Sequence, residues 1–450
     1  MRSHLIFRRD ARSLMSLGLP LIGSHLAQLA IHLTDSMMLG WYSVEALAAQ
    51  VLAHTLFFTL FIMGSGFAWA VMPMVASALA SGQDVQVRRV TRMGAWASIM
   101  FAAAVLPMMV WSEGLFLALG QAPEISVLAA NYMEIGGFVI VPALLVMVLK
   151  SYLAALERTQ VVLWVTLAAV GLNIGVNYLL IFGNMGFPEL GVRGAAIASL
   201  CVTSLSMIAL AVYAALATPE HSLFVRVWRP DWEAFRDVFR LGWPIGITNL
   251  AETGLFAASA VMMGWLGTLP LAAHGIALQL ASVTFMVHMG LSNASTVRAG
   301  QAFGKRDRGL LRSGAIAAAV LSGGFALATV AVFLLFPEPL IGLFMNPNEP
   351  NRAGVLSIGV GLLAAAGLFQ LADAGQVMAL GLLRGVQDTK VPMVIAAISY
   401  WMIGIPVSYI LGIKLGFGGI GIWLGLAIGL AIAAVLLTVR FWRWTGRWSI

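Results

Sequence analysis

Charge is what this sequence has least of. Only 10% of its 450 residues are Asp, Glu, Lys or Arg, against about 25% in soluble domains. Sixty percent are hydrophobic, and the mean hydropathy is +0.92. A chain so poor in charge cannot cover itself with a water-facing surface, which excludes a soluble globular protein. Cysteine is nearly absent. The single Cys201 lies in an apolar run, so no disulfide framework and no cysteine metal site is expected. The sequence holds no Walker motif, no nucleophile elbow and no HExxH, so neither ATP hydrolysis nor another enzymatic activity is expected. No His, Cys and carboxylate set has the spacing of a zinc site. A cleavable signal peptide is also missing. The basic start (Arg2, Arg8, Arg9, Arg12) leads into an apolar run too long for one, so the first span is expected to act as a signal anchor.

What is present is a succession of apolar segments long enough to cross ~30 Å of hydrocarbon at 1.5 Å per residue. Twelve are expected, near 13–39, 51–80, 93–112, 127–153, 160–183, 192–217, 238–266, 273–303, 313–336, 354–383, 391–413 and 419–440. The connector 218–237 is the most polar and separates two sets of six spans. Of the 26 basic residues, all but Arg193, Arg352 and Lys414 fall on one side of the predicted membrane. That bias places both termini in the cytoplasm. It also accounts for the net charge of +7 without a nucleic-acid partner.

The two sets of spans resemble each other. Leu17-Gly18-Leu19-Pro20-Leu21 recurs as Leu241-Gly242-Trp243-Pro244-Ile245. Leu39-Gly40-Trp41 recurs as Met263-Gly264-Trp265, and Leu47-Ala48-Ala49-Gln50 as Leu271-Ala272-Ala273-His274. All three share an offset of 224 residues. Arg158-Thr159, Gly186-Phe187 and Gly191 then match Asp388-Thr389, Gly416-Phe417 and Gly421 at an offset of 230. The expected fold is therefore an all-α polytopic membrane protein of twelve transmembrane helices. It would comprise an N-terminal six-helix lobe (1–217), a cytoplasmic connector (218–237) and a C-terminal six-helix lobe (238–450). An even span number per repeat gives the lobes one orientation and a pseudo-two-fold axis along the membrane normal.

Where charge survives inside the apolar runs it demands a reason, since an ionised group at the bilayer centre costs at least about 2.5–3.5 kcal/mol. In span 1, His25, Gln28, His32 and Asp35 recur at helical spacing and fall on one face. Span 7 carries Thr248, Asn249, Glu252 and Thr253, and span 10 carries Gln370, Asp373 and Gln376. Glu134 lies about two turns inside span 4 and reads as interfacial. Basic partners are missing at those depths, because Lys150 and Arg298 sit near cytoplasmic helix ends where long side chains snorkel. Unpartnered acids imply groups that exchange a proton or a metal ion for something else. At offset 224, Gln28 corresponds to Glu252 and Asp35 to Ser259, so the carboxylate sits at different levels in the two repeats. Asn173 and Asn177 are four apart on one face of span 5. Their amide oxygens are reasonable Na⁺ ligands, and interhelical hydrogen bonds worth about 0.6 kcal/mol each are the structural alternative. Glycine-rich Gly416–Gly421 reads as a turn and a close helix contact. The 23 methionines read as apolar core, although Met surfaces also suit promiscuous binding.

Five stretches together resemble a known family. They are Leu33-Thr34-Asp35 with Met38-Leu39-Gly40; Ala272-Ala273-His274-Gly275-Ile276-Ala277-Leu278-Gln279; Asn173 through Gly183; Gly191 through Ser199; and Gln370-Leu371-Ala372-Asp373 with Leu383-Arg384-Gly385-Val386-Gln387-Asp388-Thr389-Lys390. The sequence is similar, over about 12–442, to multidrug and toxic compound extrusion (MATE) transporters of the NorM-like bacterial branch. The resemblance implies two lobes enclosing a central cavity in the bacterial inner membrane. It implies a monomeric antiporter that exports lipophilic organic cations against inward Na⁺ or H⁺, with no cofactor beyond that coupling ion. Asp35, Asn173, Asn177 and Ser199 fall at the family's N-lobe cation or proton site. Asn177 stands where some members have Asp, and Ser199 where some have Thr. Glu252 and Asp373 fall at the C-lobe site, where Na⁺ could bind, and Ala372 replaces a common Pro. Phe256, His32, Gln28, Gln279, Gln376 and Asn249 are expected to line the substrate cavity. A lipid-linked oligosaccharide flippase of the same superfamily is the alternative within transport, and an ion channel is the alternative from another class. The flippase would call for buried basic residues and the channel for a filter.

Overall fold

A computed structural model describes residues 2–447, with side chains from 6 to 446. The side chains of Arg2 and Arg447, counted above in the charge bias, lie outside the described residues. Twelve helices are long and apolar enough to cross a membrane, and among the described residues there is no strand. They are α1 (Arg2–Tyr42), α2 (Val44–Ala80), α3 (Asp84–Val110), α4 (Pro123–Ala155), α5 (Thr159–Phe182), α6 (Val192–Ala217), α7 (Trp232–Leu266), α8 (Thr268–Gly304), α9 (Arg308–Leu335), α10 (Arg352–Gly385), α11 (Lys390–Lys414) and α12 (Gly418–Arg447). All twelve sequence segments are helices. Most extend beyond the predicted limits, α1, α2, α3, α4, α7, α8, α9 and α12 by a turn or more at one end, because polar residues outside hydrocarbon still form good helix. Local signals set the ends. Ser43 Oγ accepts from Ala46 N at 3.0 Å and Asp307 Oδ1 from Leu310 N at 2.9 Å, each capping the helix that follows. Gly183 closes α5 at φ +68°, and Gly416 and Gly418 turn between α11 and α12 at +74° and +63°.

The chain packs as two compact units, 23–246 and 1–22 with 247–450. These are not the repeat segments 1–217 and 238–450, because the division falls inside α1 and inside α7. The repeated Leu-Gly-x-Pro motif explains both crossings. In one unit a Cβ on Gly66 of α2 would lie 2.4 Å from Gly242 O and Gly246 N of α7. In the other a Cβ on Gly290 of α8 would lie 2.8 Å from Ile22 N of α1, and one on Gly18 3.2 Å from Leu291. Gly66 and Gly290 are themselves 224 residues apart, as are Gly242 and Gly18. Each repeat thus presents a glycine on its second span against the opening helix of the other repeat. Contacts this close need small residues.

Small residues also join other helices. Gly421, Gly425 and Gly429 form an i, i+4, i+8 stripe on α12. Added Cβ atoms there would come within 2.6 Å of Leu411 backbone, 2.3 Å of Ser408 Cα and 2.8 Å of Gly404 Cα on α11. α11 itself contains two wide π-type turns, Ile398–Gly404 and Ile410–Lys414. Gly381 and Gly385 of α10 lie against Ser292, Thr296 and Ala299 of α8. There Ser292 Oγ donates to Val377 O at 2.8 Å and Thr296 Oγ1 to Gly381 O at 2.9 Å.

The connector is strapped onto unit 23–246. Arg89 grips Asp231 with two nitrogens (Nη2 to Oδ1, 3.0 Å) and donates to Glu233 Oε2 at 2.7 Å. Arg92 donates to Leu223 O and Ser222 O, both at 2.8 Å, and Trp96 Nε1 to Val227 O at 2.7 Å. Beneath this strap lies a mainly apolar cavity of about 460 Å³. The Arg89 guanidinium holds the Asp231 carboxyl below its ordinary range. A lowered carboxyl contributes stability that is present above the ordinary carboxylate range, and loses it as pH falls through the lowered value. Emission from Trp228, isolated by subtraction of Trp228→Phe, should therefore stay constant from pH 8 to about 4 and change only below. Arg89→Gln should speed tryptic cleavage after Arg226 and Arg229, and unchanged cleavage would contradict the strap.

Candidate functional site

Each unit buries an acid centre on the faces read from the sequence, and unit 1–22 with 247–450 also buries Asp10 beside Arg298. In unit 23–246 the face read on span 1 turns Asp35 toward α5 and α6. Asp35 is 7% exposed. Its Oδ1 accepts from Asn173 Nδ2 at 3.0 Å and Asn177 Nδ2 at 2.6 Å, and its Oδ2 from Ser199 Oγ at 3.4 Å. Asn177 Nδ2 also reaches Asn173 Oδ1 at 3.2 Å. The four-residue spacing of the asparagines is what lets both reach one carboxylate oxygen. Asn177 Oδ1 is buried without a hydrogen-bond partner. Tyr132 of α4, 9% exposed, hydrogen-bonds Ser199 and lies within electrostatic reach of Asp35. The sequence reading did not single out Tyr132, since a lone aromatic in an apolar run carries no signal.

In unit 1–22 with 247–450, Glu252 of α7 meets Asp373 of α10 electrostatically. Gln370, Asp373 and Gln376 share a face of α10 and are all at most 1% exposed. Gln376 Nε2 donates to the hydroxyl of Tyr400, which the first π-type turn of α11 places inside the unit. Six polar atoms here are buried without a partner: Glu252 Oε1, Asp373 Oδ1, both Gln370 amide atoms, Gln376 Oε1 and Asn249 Nδ2. Buried polar atoms are nearly always hydrogen-bonded, so six in one cluster without a protein partner set this centre apart.

The expectation that basic partners are missing at these depths is corrected here. Arg384, read from sequence as a flanking residue after span 10, is 9% exposed and donates from Nη2 to Asn249 Oδ1 at 2.9 Å. Its charge acts on Glu252. α10 has 34 residues, roughly 51 Å at 1.5 Å per residue, so its last turn need not lie at a membrane edge. The signal was available in part: Asp373, Gln376, Leu380 and Arg384 follow each other at 3, 4 and 4 residues, one continuous helix face. Lys150 also turns inward, donating from Nζ to Ser24 Oγ at 3.4 Å. Arg298 pairs with Asp10 at 3.5 Å. Glu134 pairs with Arg193 at 3.4 Å, both half-exposed, in keeping with the interfacial reading.

The residues expected to line a cavity divide between the units. His32 and Gln28 belong to unit 23–246, where His32 stacks on His54 of α2 with ring centroids 3.7 Å apart. Gln28 and Gln279 are exposed. Phe256 packs edge-on against Phe369 at 5.8 Å. Gln376 and Asn249 are buried and belong with the acids, through Tyr400 and Arg384. Ser259, the counterpart of Asp35, is neutral and joins a fixed chain. Trp423 Nε1 donates to His274 Nδ1 at 3.1 Å, which leaves His274 Nε2 facing Ser259 Oγ at 3.4 Å. The two repeats therefore bury acids at different levels with different neighbours.

Twelve apolar spans, an internal repeat and a buried acid centre in each unit define a multi-pass membrane protein with paired ionisable sites. The model of the MatE family matches residues 20–179 and 244–410, and the chain belongs to that family. It is 47% identical over 435 residues to the "Probable multidrug resistance protein NorM" of Rhizobium meliloti, covering 96% of this chain and 93% of that one. To the protein of the same description from Agrobacterium fabrum it is 45% identical over 432 residues, again covering 96% and 93%. The fold matches a solved structure described as "Crystal structure of MATE in complex with MaL6" with a TM-score of 0.88 at 19% identity, over 98% of this chain and 97% of that one.

Proposed function

We propose that this protein is a secondary multidrug exporter of the bacterial inner membrane. It exchanges lipophilic organic cations outward for Na⁺ or H⁺ moving inward, by alternating access, with both termini in the cytoplasm. The observation that carries the reading is the cluster of orphaned polar atoms around Glu252 and Asp373. Two carboxylates and two glutamines, with four buried oxygens lacking a protein partner, form an oxygen-rich site for a small cation or a proton. The family and the relatives described as NorM support drugs as the cargo.

The two centres suit different ions. Around Asp35 both amides turn N–H groups to the carboxylate and only Asn177 Oδ1 is left without a partner, so Na⁺ would require an amide to rotate and offer oxygen. A proton can join or leave Asp35 with the amides in place. Around Glu252 and Asp373 oxygen atoms are already unpartnered, and Na⁺ fits there. In the cycle, a drug cation balances its charge against the acids. Entry of the coupling ion neutralises them, and the drug leaves. One charge moving down 100 mV supplies about 2.3 kcal/mol, roughly fiftyfold in concentration. The flippase reading gains little from Arg384, which is enclosed with Asn249.

The test is counterflow in proteoliposomes with imposed Na⁺ or H⁺ gradients and a dye panel of both charge signs. Gradient-driven movement of cationic dyes is expected, and Glu252→Gln should lose it while still inserting into membranes. Normal transport by Glu252→Gln, or transport of anions in preference, would sink the proposal.

A further inference from the structure

Arg384 is a costly residue to enclose. A guanidinium cannot shed its charge, and a buried charge needs compensation. It lies in the same unit as Glu252 and Asp373, and the three have an order. α7 and α10, the seventh and tenth spans, cross in opposite senses. The pair of Arg384 and Asn249 therefore lies toward the C-terminal end of α10. Glu252 follows one turn further along α7, and Asp373 lies 11 residues back along α10, roughly 16 Å at 1.5 Å per residue. Arg384 acts on Glu252, Glu252 acts on Asp373, and Tyr400 lies within electrostatic reach of all three. Beyond Arg384 the unit closes. Gly385 is in backbone contact with α8, as is Gly381 one turn before Arg384, and Asp388 pairs with Arg440 at 2.6 Å. The orphaned atoms lie on the Asp373 side of Arg384, with Asn249 Nδ2 at the boundary.

Two carboxylates and one guanidinium leave one negative charge when both acids are ionised. We propose that Arg384 is the inner stop of the acid pocket, a fixed positive charge that leaves room for one exchangeable cation or proton at Glu252 and Asp373 and keeps that ion from passing on toward the cytoplasm. A fixed arginine raises an electrostatic barrier to cations at close quarters, as in selective pores. An exchanger needs such a barrier, because an ion that slips through without cargo dissipates the gradient. The inference rests on the reading of Glu252 and Asp373 as the coupling site.

The test measures entry of radioactive Na⁺ and of protons (by an internal pH dye) into proteoliposomes, driven by a membrane potential with no drug present. The unmodified protein and Arg384→Lys should be tight. Arg384→Gln should leak faster by about tenfold or more. The double variant Glu252→Gln/Arg384→Gln, which keeps the pocket's charge at one negative, should leak too. A folded Arg384→Gln protein as tight as the unmodified one overturns the inference, as does a tight double variant where the single one does not fold. Loss of gradient-driven drug movement in the unmodified protein would instead defeat the coupling-site reading itself.

Discussion

Asp373→Asn is expected to end ion-driven export and to make the protein more stable. The side chain is 1% exposed, its Oδ1 has no hydrogen-bond partner, and Glu252 lies within electrostatic reach. In the absence of its ion such a group is strained, since an unsatisfied buried polar atom costs about 1–3 kcal/mol, more when charged. An amide of the same shape removes the like-charge contact. With 2–4 °C per kcal/mol for domains of this size, a gain in Tm of about 3–6 °C in Na⁺-free buffer at neutral pH is reasonable. Transport should move the other way, because a neutral amide takes no coupling charge. The drug accumulation ratio at 100 mV should fall by roughly fiftyfold. Scanning fluorimetry and proteoliposome efflux on the same preparation decide it. Retained ion-driven efflux would remove Asp373 from the coupling site, and an unchanged Tm would mean that water already satisfies the pocket.

Gly66→Ala should cost more stability than any other single methyl tested at a helical glycine whose surroundings are open. The added Cβ would sit 2.4 Å from Gly242 O and from Gly246 N. Both are backbone atoms of α7, so no side chain can swing aside and the helices must separate. Overpacking of this kind costs about 3 kcal/mol, which corresponds to a drop in Tm of roughly 6–12 °C. Gly66→Leu should leave no monodisperse protein. Gly171→Ala is the control, because a Cβ there meets nothing within 4 Å and alanine is the better helix former. Equal Tm values for Gly66→Ala and Gly171→Ala would mean that α2 and α7 do not touch as described.

Much of the fold was readable because hydrocarbon thickness fixes the length of a span and leaves few alternatives. The acids were readable for the same reason, since Asp35, Glu252 and Asp373 interrupt runs that otherwise exclude charge. The asparagines of α5 were readable from their spacing. Arg384 was not, because depth was judged from distance to a polar loop, and α10 runs well beyond the hydrocarbon. Tyr132, Tyr400 and His54 were not, because aromatic residues are at home in apolar runs and only packing distinguishes one beside an acid. Tyr400 had a further obstacle. A π-type turn shifts the register of α11, so a 3.6-residue period misassigns the inward face from Ile398 onward. Gly18 and Gly242 were visible in the repeat as letters and Gly66 and Gly290 were not singled out, because the reason for all four is a close contact between segments far apart in the chain.

That contact has a consequence for how the protein is made. Residues 1–22 pack with 247–450, through Gly290 against Ile22 and Arg298 against Asp10. This segment therefore leaves the ribosome well ahead of its partners, which lie some 270 to 290 positions later in the message. At about 5–20 residues per second, that wait is on the order of 15–60 s, with a glycine-bearing face held open in the membrane. The N-terminal repeat, released alone after 217 residues, would keep an unfilled groove on α2 where α7 belongs and an unattached N-terminal half of α1. A segment made early is among the last to settle.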